Sequence, residues 1–307
     1  MDPADPGHRP APAATGDPPD HPDGRPPAPS VAGLGRDGWR QVLQDTWTAG
    51  QDDRLPLLAS GVAFWALFAI VPTLVAVISV YGLVVDPADV ARQLDDYASN
   101  LPADARSLVQ EQLERLAGGS GGALGVSLVV SVGLALWSAS AGVRYLLSAV
   151  GAAYDEPDDR GAVAMRKASL GVTAVAVLGA VTVLALLGAL PPLVGDGPLR
   201  TAVVWLRWPV LGAGMLVFLA LVYRVGPDRR DPAWRWVSPG SVAALGLWLV
   251  ASVAFTLYTA WFGRFSQTYG SLAGVVVLML WLYLSTFAVL LGAELNATLE
   301  QRARRRP

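Results

Sequence analysis

The chain has 307 residues, 53% of them hydrophobic and only 16% charged, and its mean hydropathy is +0.41. Soluble domains carry charge on about a quarter of their residues, so this balance points to a membrane protein. A net charge of −2 gives no general affinity for polyanions, and the lack of cysteine excludes disulfides, thiolate metal sites and a cysteine nucleophile.

The first 30 residues hold ten prolines among aspartate, glycine and alanine, with no apolar run. Such a segment buries too little surface to offset its ordering entropy, so residues 1–36 are expected to be a disordered cytoplasmic tail. The only histidines, His8 and His21, lie in it, which argues against imidazole catalysis and histidine-ligated metals. Residues 37–48, DGWRQVLQDTWT, predict a short amphipathic helix capped by Asp37, with Trp39, Val42, Leu43 and Trp47 on one apolar face.

Six stretches are long and apolar enough to cross about 30 Å of hydrocarbon. They run over about 57–83, 123–149, 169–194, 201–225, 237–262 and 271–295. In the first, Pro72 removes a backbone donor and is expected to kink the helix. The 86–118 loop that follows reads as two amphipathic helices, begun by Asp86-Pro87 and ended by Gly118-Gly119. In the second span, Ser138 and Gly142 have the spacing that lets another helix approach closely. Arg144 follows them, and reads either as a positive anchor at the membrane edge or as a group facing the bundle. Pro191-Pro192 should end or kink the third helix. Arg207, between Trp205 and Trp208 in the fourth, fits a snorkelling arginine in an aromatic belt.

Pro239-Gly240 opens the fifth span, where proline suits a first turn, and Tyr258 lies within it as either a cross-bundle donor or a packing residue. Residues 261–274, WFGRFSQTYGSLAG, link the last two spans. They predict a tight outer hairpin with Gln267 near the headgroups and Tyr269-Gly270 as a gate or packing point. Glu294 and Asn296 stand at the cytoplasmic end of the last span. The glutamate could pair with Arg144 or the basic 224–235 loop, carry a proton or cation, or simply be interfacial. The 301–307 tail is basic.

Arginine placement sets the orientation. Of the 23 basic residues, seventeen fall in the two tails and the segments 144–167 and 224–235, five fall on the other side, and Arg207 lies within a span. The expected fold is therefore an all-α integral membrane protein. It is a bundle of six transmembrane helices over 37–300, with both termini cytoplasmic and an external amphipathic helical loop at 86–118. No phosphate-cradling glycine loop, nucleotide motif, nucleophile elbow or metal-ligand cluster appears, and GVSLVVSVG is not G-x-S-x-G. No cofactor, metal site or enzymatic activity is expected.

Three blocks carry a family resemblance. ASGVAFWALFAIVPTLVAVIS (59–79), LWSASAGVRYLLSAVGAAYDEPDDR (136–160) and the run from Val237 to Glu300 resemble the signatures of the YihY/BrkB family of bacterial inner-membrane proteins. In the last run the match rests on Pro239-Gly240, Trp248, Ser252, Phe255, Tyr258, Tyr269-Gly270, Trp281, Tyr283, Gly292-Ala293-Glu294 and Asn296. The chain departs from the pattern at Ala69, where serine is usual, and at Gly151, where asparagine is usual. The resemblance implies a six-helix protein of the bacterial cytoplasmic membrane. It also implies a link to lipid or envelope-related molecules. Some members carry a ribonuclease label, which the residues oppose: there is no exposed basic groove and no carboxylate cluster for a nuclease's metal ions.

The functional expectation is a transporter or translocator of a lipid or envelope-related small molecule, with a polar path or gate formed from Arg144, Tyr258, Gln267, Tyr269, Gly270, Glu294 and Asn296. Pro72, Pro239 and Gly240 would shape its backbone. The alternative is a non-transporting envelope scaffold or interaction protein working through the tails and the 86–118 loop. Membrane lipids, a lipid or small-molecule cargo and a further copy of the chain (a homo-oligomer) are the expected partners; nucleic acid is not.

Overall fold

The structure, a computed structural model, describes residues 35–84, 123–155, 159–186, 198–228, 238–261 and 271–304. The 86–118 loop, the 262–270 hairpin, Pro191-Pro192 and residues 1–34 lie outside them. Among the described residues the fold is entirely helical. The helices are α1 (Arg36–Asp52), α2 (Leu55–Val84), α3 (Ala123–Ala153), α4 (Ala162–Leu184), α5 (Pro198–Val225), α6 (Pro239–Trp261) and α7 (Ser271–Arg304). Five of them, α2, α4, α5, α6 and α7, are long and apolar enough to cross a membrane. The sixth long helix, α3, lies along α2.

Local sequence explains most boundaries. Ser238 precedes α6, Pro239 takes its first position, and the backbone N–H of Ser241 donates to Ser238 Oγ at 3.1 Å while the N–H of Ser238 donates to Ser241 Oγ at 3.0 Å. This reciprocal pair satisfies donors that a helix start leaves unpaired. The link between α1 and α2 is only Asp53-Arg54, with Arg54 in the left-handed region at φ 55° and its carbonyl accepting from the N–H groups of Leu57 and Leu58. α2 continues through Pro72 as one helix.

α1 departs from expectation. It starts at Arg36, with Gly35 before it and Asp37 inside the first turn, and no side chain caps it. Nor does its apolar face act as one surface. Val42 is buried against Leu295 and Leu299 of α7, with Trp39 beside them, whereas Leu43 and Trp47 stay more than half exposed. The register is set by docking on α7, which turns the other two residues outward. α7 itself runs to Arg304, so the basic tail begins as helix.

Small residues fill the helix crossings. Where α3 meets α2, a Cβ on Gly142 would stand 3.1 Å from Ala69 Cβ and 3.4 Å from Ala66 Cα. Ala135, Ala139 and Ser140 are buried with Gly142, while Ser138, the expected partner of that glycine, is exposed. The buried stripe is thus rotated by one position from the expected pair. The closest approach is between α6 and α7. A Cβ on Gly292 would fall 2.5 Å from the Tyr223 hydroxyl and 2.6 Å from the Gly240 carbonyl oxygen, and a Cβ on Gly240 would collide with the Gly292 carbonyl.

Gly292→Ala should therefore overpack the crossing and lower stability by about 2–3 kcal/mol. Gly179→Ala, where nothing lies within 4 Å, should be neutral or slightly stabilising because alanine favours helix. Thermal unfolding in detergent, followed by the fluorescence of the 11 tryptophans, compares the two; equal melting temperatures would discard the crossing as a constraint.

Candidate functional site

The site forms at the end of the bundle where α1 turns into α2, α3 ends and α7 passes. Glu294, on α7, is the most buried acid there, with 3% of its surface exposed. Its Oε2 has no hydrogen-bond partner among the described residues. The Asp53 carboxyl, in the α1–α2 turn, is in hydrogen-bond contact with Glu294, and the charge of Asp155 reaches both. Gly50 makes the space: a Cβ there would meet Leu55 Cδ1 at 2.9 Å and Glu294 Cγ at 3.9 Å. Asp155 follows α3 in a left-handed conformation, φ 54°, which aspartate tolerates better than most residues, and its carboxylate accepts from Gln301 Nε2 at 3.2 Å.

Two carboxyls can share a hydrogen bond only while one of them holds a proton, so a bond between Asp53 and Glu294 requires one of the two to be protonated. Burial holds the Asp53 carboxyl above its usual range, the charges of Asp155 and Asp52 add to this, and the bond with Glu294 offsets part of it. No group of three or more acidic residues with the geometry of a metal site occurs among the described residues.

Two residues along α7, Asn296 braces the opposite face. Its Oδ1 accepts from the Gly240 N–H at 2.8 Å and its Nδ2 donates to Ser238 Oγ at 2.9 Å. From α5, the Tyr223 hydroxyl donates to the Val289 carbonyl at 2.7 Å. Beside α5's end, Arg160 donates to the carbonyls of Val225 and Gly226, both at 2.6 Å, with the Asp228 carboxylate at 4.0 Å. A guanidinium there completes carbonyls that a helix end leaves open and complements its dipole. Gly151 lies against the same place, its missing Cβ 3.4 Å from the Gly226 oxygen. This position thus meets the chain's own backbone.

The candidate residues fall into separate groups. Glu294, Asn296, Pro239 and Gly240 come together around α7. Arg144 is exposed, with its guanidinium 5.2 Å from the Tyr145 ring centroid, and the anticipated pairing with Glu294 is not made. Arg144 lies on the exposed side of α3, while Glu294 is buried against the α1–α2 turn. Tyr258 is 42% exposed and stacks near Phe255, 6.4 Å between centroids. Gln267, Tyr269 and Gly270 lie outside the described residues. Sequence reasoning missed Asp53, Asp155 and Tyr223. The run QDDRLP just before the first span was the available signal for Asp53.

Because folding raises the Asp53 pKa, the folded state holds that proton more tightly than the unfolded one. Its contribution to stability is best below the unfolded value, about 3.9, and is lost as pH rises toward the folded value. Asp53→Asn should therefore raise the melting temperature at pH 7, with the gain shrinking as pH falls toward 4. A gain that grows on acidification would refute the assignment.

A family profile described as Virulence factor BrkB matches residues 46–307. The chain is 32% identical over 251 residues to the ribonuclease-like protein YfkH of Bacillus subtilis, covering 78% of this chain and 88% of that one. It is 30% identical over 275 residues to a UPF0761 membrane protein of Tolumonas auensis, covering 82% and 83%. A UPF0761 membrane protein of Xanthomonas campestris is also 30% identical over 275 residues, covering 88% and 61%. No solved structure gives a significant match. With its apolar helices and this match over most of its length, the chain belongs to the BrkB family of multi-pass membrane proteins.

Proposed function

We propose that this protein is a transporter of a lipid or envelope-related small molecule in the bacterial cytoplasmic membrane, with the Asp53–Glu294 pair as its proton-carrying element. In this reading all six long helices, α3 included, cross the bilayer, and both termini are cytoplasmic, as the arginine distribution favours. The observation that carries the proposal is Glu294: a carboxyl 3% exposed, one oxygen without a partner among the described residues, in a long and mostly apolar helix. An ionisable group in such a place is costly and marks ion or proton relays more often than it serves packing.

The neighbouring elements suit a moving part. The α1–α2 link is two residues long, so a displacement of α1 is delivered directly to Asp53 and thence to α2. Arg302 of α7 is paired with Asp45 of α1, which ties that motion to the helix bearing Glu294. The ribonuclease-like wording belongs to the Bacillus relative's name; among the described residues no cluster that could hold a nuclease's metal ions supports that chemistry.

Purified protein in liposomes, given a pH gradient and either a headgroup-labelled phospholipid or a small amphipathic solute, should move one of them in a gradient-dependent way. Glu294→Gln should cut that flux by about tenfold or more, as expected when a required proton carrier is lost. Asp53→Asn should shift its pH dependence. Wild-type flux from both variants would remove the pair from the mechanism. If neither probe is moved by intact protein, but deletion of the 86–118 loop abolishes function in cells, the scaffold reading replaces the transporter.

A further inference from the structure

On the outer wall of the bundle, away from Glu294, three helices bring together two arginines and three aromatic rings. Trp65 of α2 stacks on Tyr145 of α3, with centroids 4.7 Å apart and planes 9° from parallel. Arg144 lies beside Tyr145, at 5.2 Å from its centroid. Arg166 of α4 sits 3.7 Å over the Trp137 ring and donates from one terminal nitrogen to the Trp137 carbonyl at 2.8 Å. The charge of Arg144 reaches Arg166. Among the described residues neither has a carboxylate within ion-pair distance, and Arg166 Nε is enclosed without a hydrogen-bond partner. Arg144 is exposed and Trp137 is 54% exposed, so the cluster is open to whatever surrounds the bundle.

Two like charges that feel one another, with no counter-charge among the described residues, are destabilising unless an anion sits near both. The aromatic rings hold both guanidinium planes by cation–π contact, which limits their escape into water. What surrounds a multi-pass membrane protein at the depth of tryptophans and arginines is the headgroup layer. Arginine's planar fork suits phosphate oxygens better than any other side chain does.

The geometry points to a binding site for the phosphate of an anionic phospholipid headgroup between Arg144 and Arg166, with Trp137 and Trp65 against the glycerol and upper acyl region. It stands independently of any transport activity. The site lies on the lipid-facing wall and uses neither Asp53 nor Glu294.

The test uses the full chain in mild detergent, titrated with phosphatidylglycerol, phosphatidylcholine or inorganic phosphate and read by thermal shift and native mass spectrometry. Phosphatidylglycerol should raise the melting temperature and be retained as a bound lipid, whereas phosphatidylcholine and inorganic phosphate at the same concentration should do neither. The double variant Arg144→Gln/Arg166→Gln should weaken phosphatidylglycerol binding by about tenfold or more, and Arg144→Lys/Arg166→Lys by less, because charge is kept and the fork is lost. Arg207→Gln serves as control: that arginine also lies near a tryptophan ring, 5.4 Å from the Trp208 centroid, on a different helix from the cluster. Undiminished binding in both double variants, or an equal loss in the Arg207 control, would overturn the site. An equal shift with inorganic phosphate would overturn the lipid assignment. The lysine double variant keeps the test valid if the glutamine one fails to fold.

Discussion

The arrangement depends on the contact between Gly240 and Gly292, where two helix backbones touch with no side chain between them. Once α6 and α7 meet that closely, Asn296 is brought within reach of the first turn of α6 and can bond both its amide and Ser238. Gly292 and Asn296 are four residues apart and share one helical face; Glu294, between them, is turned about 200° away, toward the α1–α2 link. The five residues from Gly292 to Asn296 therefore do two jobs on opposite sides of one helix. One side fixes α6, and the other presents a carboxyl to Asp53.

Small and hydroxylated residues sit beside leucine and valine in the interior, and large apolar residues line much of the exterior. Ala59, Ser140, Ser169, Ser241 and Ala293 are fully or almost fully buried, while Leu57, Phe68, Trp137, Trp205 and Val250 are exposed. Lipid surrounds leucine as well as a protein core does, so helices in a membrane associate through close backbone approach and hydrogen bonds rather than through apolar burial. The buried hydroxyls close locally, as Thr46, Ser140 and Thr173 do by donating to carbonyls three or four residues earlier. Trp248 to Ser285, at 3.1 Å, is a bond of the other kind, joining α6 to α7.

Much of this was legible in the sequence. Hydropathy located the long helices, since length and apolarity are one-dimensional properties, but not all their ends: α4 starts at Ala162 rather than near 169, and α7 runs on to Arg304 rather than 295. Pro239 at a helix start and Glu294 and Asn296 as polar groups in an apolar helix were readable because proline and buried polar residues have few tolerable settings. What failed was rotation about the helix axis. Ser138 was paired with Gly142, and Leu43 and Trp47 with Val42, because spacing alone cannot say which face a neighbouring helix will select. Asp53 was missed because its importance comes from a two-residue turn that folds it onto a residue some 240 positions away.

α7 is 34 residues long, and so extends about 50 Å, some 20 Å more than a hydrocarbon slab requires. The excess lies at the end that carries α1, Asp155's partner Gln301 and Asp45's partner Arg302. Glu294 is sealed by neighbouring helices yet stands only seven residues before the exposed Gln301. If the carboxyl carries a proton, as proposed above, its release would need no long chain of relay groups, only a slight tilt of the short helix leaning on this end.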